Sequence, residues 1–193
     1  MKPEILLFLF LTTFMVSAQE YTNRRPLGLY TSLDAGIGYD LAAIIRTAST
    51  DKDDIYNPNS PYYSQHEPGR LNYGFTYMVG YQPINRLSLA GGFRYSYVNP
   101  DFHILYALAQ ANVYVGALYD EDFQYIFVRG GGMLNHSEVS GAGFVSVGFG
   151  KMEPLGKHFG HFFQIFIESQ HLDRGTAFLG LSYGVMVFGN SRR

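Results

Sequence analysis

Residues 71 to 98 read LNYGFTYMVGYQPINRLSLAGGFRYSYV, and this stretch decides the fold. On its first arm every second residue is large and apolar or aromatic, and the same alternation returns on its second arm. The residues of this bulky face are Leu71, Tyr73, Phe75, Tyr77, Val79, Tyr81, Leu87, Leu89, Phe93, Tyr95 and Tyr97. A period of two on both sides of a Pro-Ile-Asn-Arg turn predicts a β-hairpin.

The second face of this hairpin indicates which side is buried. Apart from Arg94, the residues on it are uncharged, and most are Gly, Ala or Ser. A strand face in water typically carries long charged side chains, which solvate well and prevent aggregation. Small residues instead fit the crowded inside of a narrow barrel, and the bulky face then points outward into lipid. The stretch therefore predicts a hairpin of a membrane barrel.

Composition agrees with a membrane barrel and excludes several other classes. Of the 193 residues 16% are charged, 17% are aromatic and 22 are glycine, whereas soluble domains contain roughly 25% charged residues. The formal net charge of −2 and the lack of a basic cluster give no indication of a nucleic-acid partner. Without cysteine the chain has no disulfide and no thiolate metal site, and we predict no metal and no cofactor.

The chain begins with the features of an export signal. Lys2 precedes an apolar run from Ile5 to Val16, and Val16-Ser17-Ala18 is a small-residue cleavage pattern. The run is shorter than the roughly 20 residues that a membrane-spanning helix needs. We expect a secretory signal peptide over residues 1–18, a short periplasmic leader over 19–27, a barrel over 28–188 and a C-terminal tail over 189–193.

The alternation recurs along the chain and predicts eight strands in total. Three short turns are expected on the periplasmic side, at Gln82–Arg86, Asp120–Asp122 and Glu153–Lys157, and the long polar segment Thr47–Arg70 is expected outside. The predicted fold is all-β, an eight-stranded antiparallel up-and-down transmembrane β-barrel. The fourth strand, Phe102 to Tyr119, is apolar on both parities, so its facing stays open; a bulge within it would explain the pattern.

Aromatic residues near the predicted strand ends suit two interfacial girdles. One girdle is expected to contain Tyr81, Tyr119, Phe123, Phe159 and Phe188, and the other Tyr39, Tyr73, Tyr97 and Phe102.

With this strand count, turn asymmetry and export signal, the chain resembles the small eight-stranded outer-membrane barrels of the OmpA/OmpX type. The resemblance covers residues 28 to 188 and rests on architecture, without a diagnostic motif. It implies the outer membrane of a Gram-negative bacterium. It also implies contact with outer-membrane lipids and lipopolysaccharide and, through the outer loops, with other outer-membrane or surface proteins.

Three charged residues fall on the predicted inward face, Asp34 and Arg94 near mid-depth and Glu168 nearer the outer end. Arg129 joins them near mid-depth if its parity on the fifth strand is inward; the facing of that strand, like that of the fourth, stays open. A charge inside a narrow barrel must be paired, because isolated burial costs several kcal/mol. We predict an interior charge network that plugs the lumen; a narrow passive pore is the alternative.

Catalytic residue types occur together at one place, in a predicted outer loop. His136, Ser137 and Glu138 have the chemistry of a base, a nucleophile and an orienting acid. They are consecutive, however, and the His-x-Ser-Asn pattern of lipid A deacylases is missing. A lipid A-modifying hydrolase therefore stays an alternative. The main prediction is a non-enzymatic barrel with a structural or interaction role, either through loop binding or as an accessory subunit of a larger assembly.

Overall fold

The computed structural model describes residues 28–41, 71–84, 86–99, 102–116, 123–135, 143–155, 158–171 and 175–189. Among them, no helix is long and apolar enough to span a membrane. The described residues form eight strands: β1 (Gly28–Asp40), β2 (Leu71–Ile84), β3 (Leu87–Val98), β4 (Phe102–Gly116), β5 (Phe123–Met133), β6 (Gly143–Pro154), β7 (Phe159–His171) and β8 (Gly175–Phe188). The predicted signal peptide, the leader, the whole long loop Thr47–Arg70, the turn Asp120–Asp122 and residues 190–193 of the tail lie outside the described residues.

The eight strands close into one barrel. Each strand pairs antiparallel with its neighbours in chain order, and β1 pairs with β8, where Asp34 lies opposite Gly184. Closure leaves no free sheet edge, which is what allows a sheet to span a bilayer. The predicted eight-stranded up-and-down barrel is confirmed. Below, the terminal rim is the end where β1 begins and β8 ends, and the loop rim is the end joined by residues 41–70.

Side chains alternate between lumen and outer wall as the hairpin pattern predicts. On β2 the residues of the bulky face are exposed, for example Phe75 at 57% and Tyr81 at 53%, whereas Met78 between them is 2% exposed. The same holds on β8, where Tyr183 is 56% and Met186 is 5% exposed. The outer wall is therefore apolar along most of its height.

The structure decides the facing of β4, which the sequence leaves open. Residues of even number point inward without interruption from Phe102 to Tyr114, and the odd positions point outward. A register shift occurs only beyond this run, between Tyr114 and Gly116. The run contains no bulge. Both parities are apolar because bulky residues such as Tyr106 and Leu108 face the lumen, while small residues face outward at mid-strand, where Ala109 lies opposite Gly91 and Gly130.

The expectation of a small-residue lumen is therefore only partly correct. Large aromatic rings also point inward, and they lie directly opposite glycines of a neighbouring strand. These pairs are Tyr30 with Gly80, Tyr125 with Gly150, Phe127 with Gly148, Phe144 with Gly131, Phe162 with Gly184 and Phe166 with Gly180. A side chain on any of these glycines would meet the ring that covers it. The inward glycines thus make room for aromatic side chains that fill the lumen.

The predicted girdles need a similar correction. Phe102, Phe123 and Phe188 are at most 7% exposed and point into the lumen, so they cannot contact lipid. Tyr81 and Phe159 do lie on the outer wall at the terminal rim, and Tyr39, Tyr73 and Tyr97 lie on it at the loop rim. There the rings of Tyr73 and Tyr97 have centroids 4.9 Å apart. Tyr119 is outside the described residues.

Candidate functional site

The lumen contains a charged layer at mid-height. The side chains of Asp34, Arg94, Arg129 and Glu168 all lie there, and each residue is at most 5% exposed. They come from β1, β3, β5 and β7, where the two-residue period turns each of these positions inward. Two positive and two negative charges balance one another, which reduces the free energy needed to bury them.

Arg94 and Glu168 form a buried ion pair across the lumen. Arg94 Nη1 donates to Glu168 Oε2, and Gln170 Nε2 donates to Glu168 Oε1 at 2.7 Å. The guanidinium of Arg94 also lies over the ring of Phe144, 4.9 Å from its centroid. Both oxygens of the carboxylate thus have donors, and the arginine is in contact with the apolar layer beside it.

Arg129 is held by neutral groups. Its Nε donates to Gln110 Oε1 at 2.6 Å and its Nη2 donates to Gln164 Oε1 at 2.8 Å. Gln164 in turn donates from Nε2 to the hydroxyl of Tyr125 at 3.0 Å. Sequence reasoning missed both glutamines. Amides on the inward parity of a strand, such as Gln110 on β4 and Gln164 on β7, are the signal that could have found them.

Asp34 completes the charged layer. Both arginines attract its carboxylate, and Thr76 donates a hydrogen bond to it. Its Oδ2 has no hydrogen-bond partner among the described residues. Asp34 therefore interacts with the layer mainly through charge, whereas Glu168 is tied to it by direct bonds.

Apolar side chains pack on both sides of the charged layer. Towards the loop rim these are Met78, Val98, Phe102, Ile104, Tyr106, Leu108, Phe144 and Phe178. Towards the terminal rim they are Tyr30, Tyr114, Phe123, Tyr125, Phe127, Met152, Phe162, Phe166, Met186 and Phe188. None of them is more than 7% exposed, whereas a water-filled channel would expose the side chains that line it. Within the described residues the lumen is a packed core with a charged centre.

The structure does not describe the candidate catalytic residues that the sequence predicts. His136, Ser137 and Glu138 lie outside the described residues, so their arrangement stays a prediction.

The outer wall carries a polar cluster that the sequence did not reveal: Lys151, Glu153 and His161 are hydrogen-bonded beside Tyr183. The turn predicted at Glu153–Lys157 begins too early, because β6 continues to Pro154 and Glu153 lies on the outer wall.

Comparison with solved structures finds proteins of similar architecture. Neisserial surface protein A superimposes with a TM-score of 0.51 at 14% identity, over 83% of this chain and 97% of that one. This chain has the fold of the small eight-stranded outer-membrane barrels. The N-terminal β-barrel domain of Pseudomonas aeruginosa OprF (TM-score 0.45, 15% identity, 85% and 99% covered) and a de novo designed transmembrane β-barrel (0.43, 10%, 85% and 98%) also match. No protein-family model and no curated protein sequence matches significantly.

Proposed function

We propose that this protein resides in the outer membrane of a Gram-negative bacterium and acts without catalysis, as a structural or interaction protein. Its partners are outer-membrane lipids, lipopolysaccharide and proteins that bind its outer loops or use it as an accessory subunit. The packed lumen is the observation that carries this proposal. A barrel whose interior is filled by side chains has neither a solute pathway nor a ligand cavity there.

The outer wall supports the membrane location. Leu29 and Val145 are each 62% exposed and Phe75 is 57% exposed, and they belong to an apolar surface that surrounds the barrel. Soluble proteins rarely expose continuous apolar patches larger than a few hundred Å². A periplasmic ligand-binding barrel would need the opposite arrangement, with its apolar face inward around a cavity.

The connections support one orientation. The longest of them, residues 41–70, is at the loop rim, whereas residues 85–86, 117–122 and 155–158 connect strands at the terminal rim. Outer-membrane barrels have short periplasmic turns and longer extracellular loops. We therefore place the terminal rim in the periplasm.

Two measurements test the proposal. In outer-membrane fractions, the mature protein should migrate faster on gels before boiling than after it, because a folded barrel binds less detergent. A protein found in the soluble periplasmic fraction, without this shift, would contradict the membrane location. In planar bilayers the folded protein should give no stable unitary conductance, and regular current steps would refute the closed lumen.

A further inference from the structure

Aromatic side chains of three neighbouring strands form a continuous surface on the outer wall at the loop rim. Tyr73 of β2 lies opposite Tyr97 of β3, and Tyr97 lies opposite His103 of β4. The ring centroids are 4.9 Å apart for Tyr73 and Tyr97 and 5.0 Å apart for Tyr97 and His103. Tyr95, two residues before Tyr97 on the same face, adds a third tyrosine ring. We call Tyr73, Tyr95, Tyr97 and His103 the ring patch.

A hydrogen bond orients the histidine within the ring patch. The hydroxyl of Tyr95 lies 2.6 Å from Nδ1 of His103. When this hydroxyl donates to Nδ1, the neutral imidazole carries its proton on Nε2. His103 is exposed, and its Nε2 has no hydrogen-bond partner among the described residues. The ring patch therefore offers an N–H donor at the edge of an aromatic surface.

The ring patch lies at the height of lipid headgroups. Strand β3 has 12 residues. With a rise of about 3.3 Å per residue and a tilt of about 40°, it spans roughly 30 Å along the barrel axis, slightly more than the apolar band of about 25 Å in outer-membrane barrels. Tyr97 is the penultimate residue of β3 and His103 is the second residue of β4, so both lie at the edge of this band. In the proposed orientation that edge faces the leaflet that contains lipopolysaccharide.

We propose that the ring patch binds a sugar ring of the lipopolysaccharide headgroup. Aromatic faces pack against the C–H groups of a sugar ring, and Nε2 of His103 can donate to one of its oxygens. Within β2, β3 and β4 the only charged residue is Arg94, which points into the lumen, so these strands offer a phosphate no charge on the outer wall. The group that they recognise is therefore the uncharged sugar. The inference rests on the proposed membrane location and orientation, and it names the part of the lipid that the barrel contacts.

An ordinary interfacial girdle explains less of the geometry. A girdle needs only separate aromatic side chains at headgroup height, and Tyr39 at the same rim is sufficient for that role. The ring patch adds contact between rings on three strands and a histidine that is oriented by a hydrogen bond. An aromatic surface with one placed donor fits a ligand that has both an apolar face and polar edges.

Titration followed by nuclear magnetic resonance tests this site. The mature protein, labelled with ¹⁵N and folded in phosphocholine detergent micelles, is titrated with dephosphorylated lipid A, which keeps the sugars and acyl chains but carries no charge. We expect the amide signals of Tyr73 and Tyr97 and the imidazole signal of His103 to shift, whereas phosphatidylglycerol should leave them unchanged. Tyr73→Leu should weaken the affinity roughly fivefold, as loss of one aromatic contact would give. His103→Phe should weaken it roughly threefold, as loss of one hydrogen bond would give.

Tyr81→Leu is the matched control, because Tyr81 lies on the same strand and the same outer wall at the opposite rim, and its exposure of 53% is close to the 45% of Tyr73. This variant should retain the wild-type affinity. The proposal is overturned if dephosphorylated lipid A shifts no signal of the ring patch, if only phosphorylated lipid A or phosphatidylglycerol does so, or if Tyr81→Leu weakens binding as much as Tyr73→Leu.

The location of the protein and its heat-dependent gel shift separate the two levels of failure. A barrel that is found in the outer membrane and shifts on gels, but does not bind dephosphorylated lipid A, contradicts only the sugar site. A protein found in the soluble periplasmic fraction without the shift contradicts the proposed function as well.

Discussion

The buried ion pair between Arg94 and Glu168 provides the most direct test of what stabilises the lumen. Glu168→Gln keeps the size of the side chain and still offers an oxygen to Gln170, whose Nε2 donates to Glu168 Oε1 at 2.7 Å in the wild type. What it removes is the negative charge that faces Arg94. Both side chains of the pair are almost completely buried, at 6% and 0% exposure, so water cannot replace the missing charge.

The expected effect follows from the burial. Removing one partner of a buried pair leaves an uncompensated charge and typically costs about 3–5 kcal/mol. We take about 3 kcal/mol, because Asp34 also attracts Arg94 and compensates in part. With a urea dependence of about 2 kcal/mol per molar, the unfolding midpoint should fall by about 1.5 M. The assay is urea unfolding in phospholipid vesicles, followed by circular dichroism and by loss of the heat-dependent gel shift.

Two further variants control this prediction. Glu153→Gln also breaks a carboxylate ion pair, but on the exposed wall, where such pairs contribute little, and its midpoint should match the wild type. In the double variant Arg94→Met, Glu168→Met both charges are replaced by apolar side chains, and more than half of the lost stability should return. If Glu168→Gln shifts the midpoint no more than Glu153→Gln does, the ion pair does not stabilise the lumen and the reasoning fails.

The remaining predictions concern the lumen packing and the catalytic alternative. A Cβ on the inward Gly92 would collide with the carbonyl oxygen of Tyr77, whereas a Cβ on the outward Gly91 would meet only one atom, 3.6 Å away. Gly92→Ala should therefore lower the free energy of unfolding by about 1–3 kcal/mol and Gly91→Ala should not; equal urea midpoints would contradict the inside-outside assignment. Replacing Ser137 with Ala should leave the mass spectrum of lipid A unchanged, and a lipid A acyl chain removed only in cells with the wild-type protein would favour the hydrolase.

Much of the fold can be predicted because strand periodicity is a local property. The alternation on β2 and β3 depends on neighbouring residues of one hairpin, and it correctly indicated an apolar wall outside. On this hairpin the small residues between the bulky ones indicated the inner face, since a narrow barrel leaves little room there. Strand number follows in the same way, from repeated local patterns separated by turns.

The filling of the lumen could not be predicted in this way. It depends on which side chains meet across strand pairs, and a one-residue change of register turns every side chain to the other face. In β4 both parities are apolar, so composition could not distinguish the inner face of Tyr106 and Leu108 from the outer face of Ala109. Closure of the barrel decided it, because the inward glycines on neighbouring strands leave space that only bulky side chains fill.

The sequence by itself determined an eight-stranded barrel with an apolar wall and three charged residues on inward parities, because alternation and residue size are local features of each strand. It left the facing of Arg129 open. Only the tertiary structure decided how those charges are held. Arg94 and Glu168 are 74 residues apart in sequence, and Arg129 binds two glutamines instead of a carboxylate. Strand register and closure bring these groups together, and the low dielectric of the packed lumen strengthens the electrostatic interaction within each pair. The hydrogen-bonded group of Lys151, Glu153, His161 and Tyr183 on the outer wall likewise exists only because β6, β7 and β8 lie side by side.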